Sequence, residues 1–148
     1  MLDKITSGRR YDKDYEFTGI EVNLMPIYGG IPCGELGYLD DNIEGYIEIP
    51  ESLVGTGSYF VLQADGDSMI GAGINDSDLV IIPKQDYADD GDIVVAFVDS
   101  KVTLKRYYKL RNIKAYRLHA ENEAYEDKIV KDCQVLGVAV KILKDLRG

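Results

Sequence analysis

The sequence predicts a mostly β domain of small curved sheets, built from short, mainly antiparallel strands behind a mobile N-terminal arm. Three observations carry this prediction. Short runs rich in β-branched and aromatic residues succeed one another from residue 19 to residue 143, the composition that suits a pleated, half-buried surface. The segments between them are dense in Gly, Asp and Asn, the residues that turns require. Helix signals shrink to single turns, one near "PESLV" (50–54) and one just after Ser68.

Residues 1–18 are polar and charged without apolar periodicity and read as a flexible N-terminal arm or linker; residues 19–148 read as one domain. "GIEVNLMPI" (19–27) alternates apolar and polar residues as a strand does. "YGGIPCGELGYLDDNIEGY" (28–46) is rich in Gly and Pro and reads as a long loop, a length that compact domains usually keep for function. Strand signals then follow in "SYFVLQA" (58–64), "DLVIIP" (78–83), "DIVVAFV" (92–98), "KVTLKRYY" (101–108), "IKAYRLH" (113–119) and "CQVLGVAVKIL" (133–143). "DS" at 99–100 joins two of these runs through two residues and predicts a hairpin. "YADDGD" (87–92) and "AENEAYED" (120–127) read as loops, and no internal repeat is visible.

Composition narrows the function classes. A 148-residue chain with 45% hydrophobic and 29% charged residues describes one ordinary soluble domain with a real core. The longest apolar runs, "LVII" (79–82) and "VLGVAV" (135–140), are far too short to span a bilayer, and the N-terminus has no signal-peptide core. A cytoplasmic setting is therefore expected, and the two cysteines, Cys33 and Cys133, fit a reducing compartment. With one histidine, His119, a cysteine–histidine metal site lacks ligands; no metal and no cofactor is expected. The net charge is −9, nearly all of it downstream of residue 33, so the body should repel DNA. The basic residues Lys105, Arg106, Lys109, Arg111, Lys114 and Arg117 run against that trend. They read as solvated charges balancing the acidic loops.

"GDSMIGAG" (66–73) sets a serine among glycines. Ser68 is either a simple turn former or a nucleophile, and a nucleophile needs a group to take its proton. His119 ends a strand pattern with no orienting carboxylate signalled by spacing, and reads as a partly exposed strand residue. The other candidate is a lysine kept neutral by burial. In "KVTLKRYYK", alternation sets Thr103, Lys105 and Tyr107 on one face and Val102, Leu104 and Arg106 on the other. Taken alone, Lys105 reads as a charge that guards a sheet edge.

Several segments agree in order and spacing with a known family. "GDSM" (66–69), "INDSDLVII" (74–82), "GDIVVAFVDSKVTLKR" (91–106), "AEN" (120–122) and "VLGVAV" (135–140) resemble the LexA/UmuD self-cleaving proteins, over roughly residues 27–143. The resemblance implies a LexA/signal-peptidase-like β fold and a serine–lysine dyad of Ser68 and Lys105. It implies self-cleavage at a small residue followed by glycine, here Cys33-Gly34 in "IPCGEL" (31–36). Residues 19–148 would then form the peptidase domain, with 28–46 its cleavage loop. A small residue at 33 suits a shallow pocket, and Gly34 lets the backbone approach the nucleophile without a Cβ clash. Ile31 and Pro32 would dock the loop, and the backbone N–H groups of Asp67 and Ser68 would hold the oxyanion.

Two family roles remain open at this level. A UmuD-like protein serves a Y-family DNA polymerase once shortened. The alternative is the cleavage and dimerisation portion of a LexA-like or phage transcriptional repressor, without its DNA-binding domain. Only 32 residues precede Cys33, without helical periodicity, so this chain is not expected to recognise an operator. The expected partners are a second copy, joined through strand edges near "VLGVAVKIL", and a RecA–single-stranded-DNA filament. A signal peptidase would need a membrane anchor. A non-enzymatic β-rich interaction module would explain the strands, but not the ordered serine, lysine and Cys-Gly.

Overall fold

The computed structural model describes residues 19–29 and 43–146. Their strands are β1 (Val22–Tyr28), β2 (Ile43–Pro50), β3 (Tyr59–Gln63), β4 (Leu79–Pro83), β5 (Ile93–Val98), β6 (Lys101–Leu110), β7 (Ala115–His119), β8 (Lys128–Val130), β9 (Gln134–Val138) and β10 (Lys141–Leu143). One sheet has the order β10-β4-β3-β1-β2, the other β8-β7-β6-β5-β9. Every pairing is antiparallel except β1 with β3. The mostly β fold predicted from sequence is the fold observed. Helix is confined, among the described residues, to single turns at Glu51–Val54 (α1) and Ile70–Ala72, the two places where the sequence signals one. No helix among them is long and apolar enough to cross a membrane.

The period of two decides which residues meet. Tyr28, Phe60, Leu62, Val80 and Ile82 of the first sheet pack with Val95 and Val102 of the second. The opposite face of β5 gives Val94, Ala96 and Val98 to a cluster with Tyr107 and Leu118. Ile81, between Val80 and Ile82, turns the other way onto Met25, Ile49 and Val61. Central strands buried on both faces explain why β4 and β5 read as unbroken apolar runs. Each such side chain contributes about 1.5–3 kcal/mol by leaving water. Asp99 and Ser100 both have positive φ, 51° and 64°, the backbone of a type I′ turn whose twist suits the β5–β6 hairpin.

Three segments differ from the sequence reading. The stretch 28–46 gives Tyr28 to β1 and residues 43–46 to β2. Ile43, Gly45, Ile47 and Ile49 do alternate with exposed Glu44, Tyr46 and Glu48, but a glycine and three acidic residues in or beside that run disguise the period. The run 133–143 is two strands rather than one. Ala139 N–H still bonds Ile93 O in the second sheet, whereas Val140 N–H bonds Ile81 O in the first, so the chain changes sheets there. Gly137 permits this crossing: a Cβ would stand 2.4 Å from Ile82 Cγ2 and 2.6 Å from Pro83 O. Finally, β8 has three residues, too few for any alternation to register.

Candidate active site

Ser68 lies on the excursion that links β3 to β4. Its base is closed by backbone bonds, Ala64 N–H to Asp78 O and Ser77 N–H to Ala64 O, each 2.8 Å. The carboxylate of Asp76 accepts Gly66 N–H at 2.7 Å, and that of Asp78 accepts Asn75 N–H at 2.8 Å. Buried Met69 and Ile74 pin the excursion to the core shared by the two sheets. Ser68, just before Met69, stays half-buried, in a cleft of about 110 Å³ walled by the end of β3, the serine turn and Val102–Lys105 of β6.

Lys105 reaches this cleft from β6, where it pairs with Val94 of β5. Its Nζ lies 3.4 Å from Ser68 Oγ, 2.9 Å from Thr103 Oγ1 and 3.2 Å from Leu104 O. None of the ion pairs among the described residues involves it. Burial, and secondarily the positive charge of Lys128, hold its pKa below the ordinary 10.5. A neutral amine has two N–H donors and one lone pair. Thr103 Oγ1 and Leu104 O match the two donors, which leaves the lone pair for the Ser68 hydroxyl. Such an amine can accept the serine proton.

The loop after β7 closes over the serine turn. Asn122 Nδ2 donates to Asp67 O at 2.8 Å, Tyr125 Oη donates to Asp67 Oδ1 at 2.6 Å, and Gly71 N–H donates to Glu121 O at 2.7 Å. The loop is itself anchored. His119 lies between Asp127 Oδ1 (2.5 Å) and Glu121 Oε2 (3.3 Å), while Arg106 pairs with Glu121 and Arg117 with Asp127, both at 3.2 Å.

The structure thus brings together Ser68 and Lys105, and sets Asp67 beside them. His119 ends β7 and is partly exposed, as its sequence position indicates; it also meets two carboxylates that spacing does not signal, because the chain turns back on itself between Glu121 and Asp127. Those carboxylates tie it to its own loop. Arg106, Arg111 and Arg117 of the basic group pair with Glu121, Asp90 and Asp127, as charges balancing the acidic loops should. Ile31, Pro32, Cys33 and Gly34 lie outside the described residues. Cys133 borders a depression of about 720 Å³, but burial pushes its thiol up to about 11, so it is a poor nucleophile near neutrality. The sequence assigns no role to Thr103 or Tyr125, and Asn122 enters only as part of "AEN" (120–122). Thr103 carries a signal, two positions before Lys105 on the same strand face. Tyr125 carries none, since its partner is 58 residues away.

A curved β domain with a serine and a half-buried lysine, outside any ion pair among the described residues, at one cleft has counterparts among known proteins. Residues 26–140 match the model of the peptidase S24-like family, and the chain belongs to that family. Its similarity to LexA repressors is extensive. It is 42% identical to the LexA repressor of Caldicellulosiruptor saccharolyticus over 120 residues, which cover 81% of this chain and 58% of that protein. The LexA repressor of Clostridium acetobutylicum is 41% identical over 114 residues, 76% of this chain and 55% of that protein. The LexA repressor of Geobacillus kaustophilus is 40% identical over 126 residues, 84% of this chain and 60% of that protein. The chain therefore spans less than two thirds of the length of these relatives.

Proposed function

We propose that this chain is the self-cleaving portion of a LexA-type regulator, a serine endopeptidase that cuts its own Cys33-Gly34 bond with Ser68 and Lys105. The observation that carries the proposal is the approach of Lys105 Nζ to Ser68 Oγ at 3.4 Å, with a lysine whose burial favours the neutral amine. Neutral Lys105 takes the proton from Ser68 as Oγ attacks the carbonyl carbon of Cys33. The backbone N–H groups of Asp67 and Ser68 hold the oxyanion. Lys105 then returns the proton to the Gly34 nitrogen, the peptide bond breaks, and an acyl ester remains on Ser68. Water, deprotonated by Lys105, releases the ester as the carboxylate of Cys33.

The topology favours a substrate in the same chain. In the parallel pair, Tyr28 of β1 stands beside Leu62 of β3, and β3 runs on into the serine turn. Tyr28 and Met69, the neighbour of Ser68, belong to one core cluster. Five extended residues span at most about 17 Å, a short tether for a substrate in the same chain. Tethering of this kind replaces a bimolecular encounter with an effectively unimolecular one.

Of the two family roles, similarity to LexA repressors favours the repressor portion over a polymerase accessory. For the expected contact near residues 135–143, β10 offers an edge strand of the first sheet, with Val140 before it and Leu143 at its end exposed; the outer edge of β9 is bridged within the chain by Lys84 and Gln85. Within this reading, a RecA filament formed after DNA damage stimulates cleavage by favouring the docked loop, and cleavage ends repression as part of the SOS response. Incubation of the purified chain at alkaline pH, followed by mass measurement, tests the proposal. Fragments divided between residues 33 and 34 are expected; an intact chain, with or without the RecA filament, overturns it.

A further inference from the structure

We infer that Tyr125 and Asn122 are positioning residues for Ser68, acting through Asp67 to hold the nucleophile at the distance its base requires. The inference rests on the serine–lysine reading above and adds what keeps that pair aligned. Ser68 follows three exposed residues, Asp65, Gly66 and Asp67. Met69 anchors the C-terminal side of Ser68 in the core, but these three residues on its N-terminal side have little packing to restrain them, and the hydrogen bond to Lys105 is already long.

The restraint comes from the loop at 120–127. It hangs from β7, the hydrogen-bonded neighbour of the strand that carries Lys105, whereas Ser68 hangs from the other sheet. Asn122 grips the carbonyl of Asp67, and Tyr125 grips its carboxylate. Glu121 O holds Gly71 N–H on the far side of Ser68, where a Cβ on residue 71 would approach that oxygen to 2.6 Å. The serine is thus bracketed, at positions 67 and 71, by one segment rooted in the base's own sheet.

The bracket is itself oriented. Ala124 N–H donates to Asn122 Oδ1 at 2.9 Å, which leaves the amide nitrogen to face Asp67. The hydrogen bond to Asp67 also raises the pKa of Tyr125 above its ordinary 10.0. That direction extends the alkaline range over which the phenol keeps its proton and its donor role.

The test compares self-cleavage of the intact chain in the wild type, Ser68→Ala, Tyr125→Phe, Asn122→Ala, Asp67→Ala, Asp67→Asn and the double variant Tyr125→Phe/Asp67→Ala. Cleavage that persists in Ser68→Ala overturns the serine–lysine reading itself. Given Ser68-dependent cleavage, Tyr125→Phe and Asp67→Ala should each slow it by about tenfold, since small misplacements of reacting groups are costly. The double variant should be no slower than the slower single one, because both changes break one bond. Asp67→Asn, which keeps the acceptor oxygen, should cut faster than Asp67→Ala. The plateau of the pH–rate profile should fall while its midpoint stays, whereas general loosening would wet Lys105 and move the midpoint upward. Wild-type rates in Tyr125→Phe and Asn122→Ala, losses that multiply in the double variant, or a shifted midpoint would each overturn the inference.

Discussion

Ser68 Oγ lies 3.4 Å from Lys105 Nζ although 37 positions separate the two residues in the chain. The serine belongs to an excursion from one sheet, the lysine to a central strand of the other. Their meeting depends on how the sheets pack, through Val80 and Ile82 on one side and Val95 and Val102 on the other. The chemistry expected of the pair can be checked residue by residue.

Removing either partner should leave the core intact, because neither side chain belongs to a buried apolar cluster. Ser68→Ala and Lys105→Ala should each lower the self-cleavage rate by at least about a thousandfold with little change in the thermal midpoint. Thr103→Val, which removes an acceptor from the amine, should slow cleavage by about tenfold. Band densities over a time course of the purified variants provide the measurement. A folded Ser68→Ala or Lys105→Ala variant that still cuts refutes the assigned roles.

The rate should rise with pH. Lys105 must be neutral to accept a proton, and its pKa is held below 10.5; the midpoint of the rise should therefore fall below that value. Part of the depression comes from Lys128, so Lys128→Gln should move the rise to higher pH. That shift should shrink in 1 M salt, where screening acts over about 3 Å. Rate profiles at low and high salt decide the matter; an unmoved profile would discount Lys128.

Stability should carry the same signature with a defined sign. The folded pKa of Lys105 is lower than its unfolded value, so the unfolded chain binds a proton that the folded chain resists. Stability is then diminished in full below the folded pKa, recovers as pH rises through the window beneath 10.5, and is undiminished above it. In a Ser68→Ala background, Lys105→Met should therefore gain stability relative to Lys105 at pH 7, and that advantage should dwindle as pH approaches 10.5. Thermal melts across this range would expose the error if the advantage widened with pH.

Gly34→Val should block cleavage while leaving the cleft formed, because a β-branched side chain would obstruct the attack and stiffen the backbone. For the wild type, the reaction should be first order, with one rate constant over a hundredfold range of protein concentration. Native-rate cutting by the valine variant would move the scissile bond elsewhere.

Direct, sequence-specific binding to duplex DNA should be absent. The net charge is −9, and three of the six clustered basic residues are engaged by Glu121, Asp90 and Asp127. Affinity for phosphates requires free basic surface and falls steeply with salt. A titration against duplex DNA and an assembled RecA filament should show binding to the filament alone. Tight operator binding by the chain itself would contradict this expectation.

Much of the fold was legible in the sequence because burial imposes a local period. β3, β4 and β5 follow from apolar runs and β6 from a run of β-branched and aromatic residues, all bounded by turn residues, and the positive φ of Asp99 and Ser100 follows from the two-residue link between β5 and β6. Ser68 and Lys105 were legible through a set of motifs whose order and spacing match a known family. Periodicity alone would have left Lys105 as an edge charge and Ser68 as a turn former. β2 was hidden because Gly45 and its acidic neighbours carry loop composition while keeping strand alternation.

The sequence by itself determined the class of the fold, the strands that form its centre, and the two residues that can make a nucleophile and its base. The tertiary structure alone decided that Ala139 and Val140 serve different sheets, that Thr103 and Leu104 O fill the donors of Lys105, and that Tyr125 reaches Asp67 across 58 positions. Strand propensity and turn chemistry act between near neighbours, so they are written in short stretches of chain. The pairing of an exposed tyrosine with a distant carboxylate, or the drying of one lysine, depends on which surfaces two sheets bring together, and no local stretch encodes that.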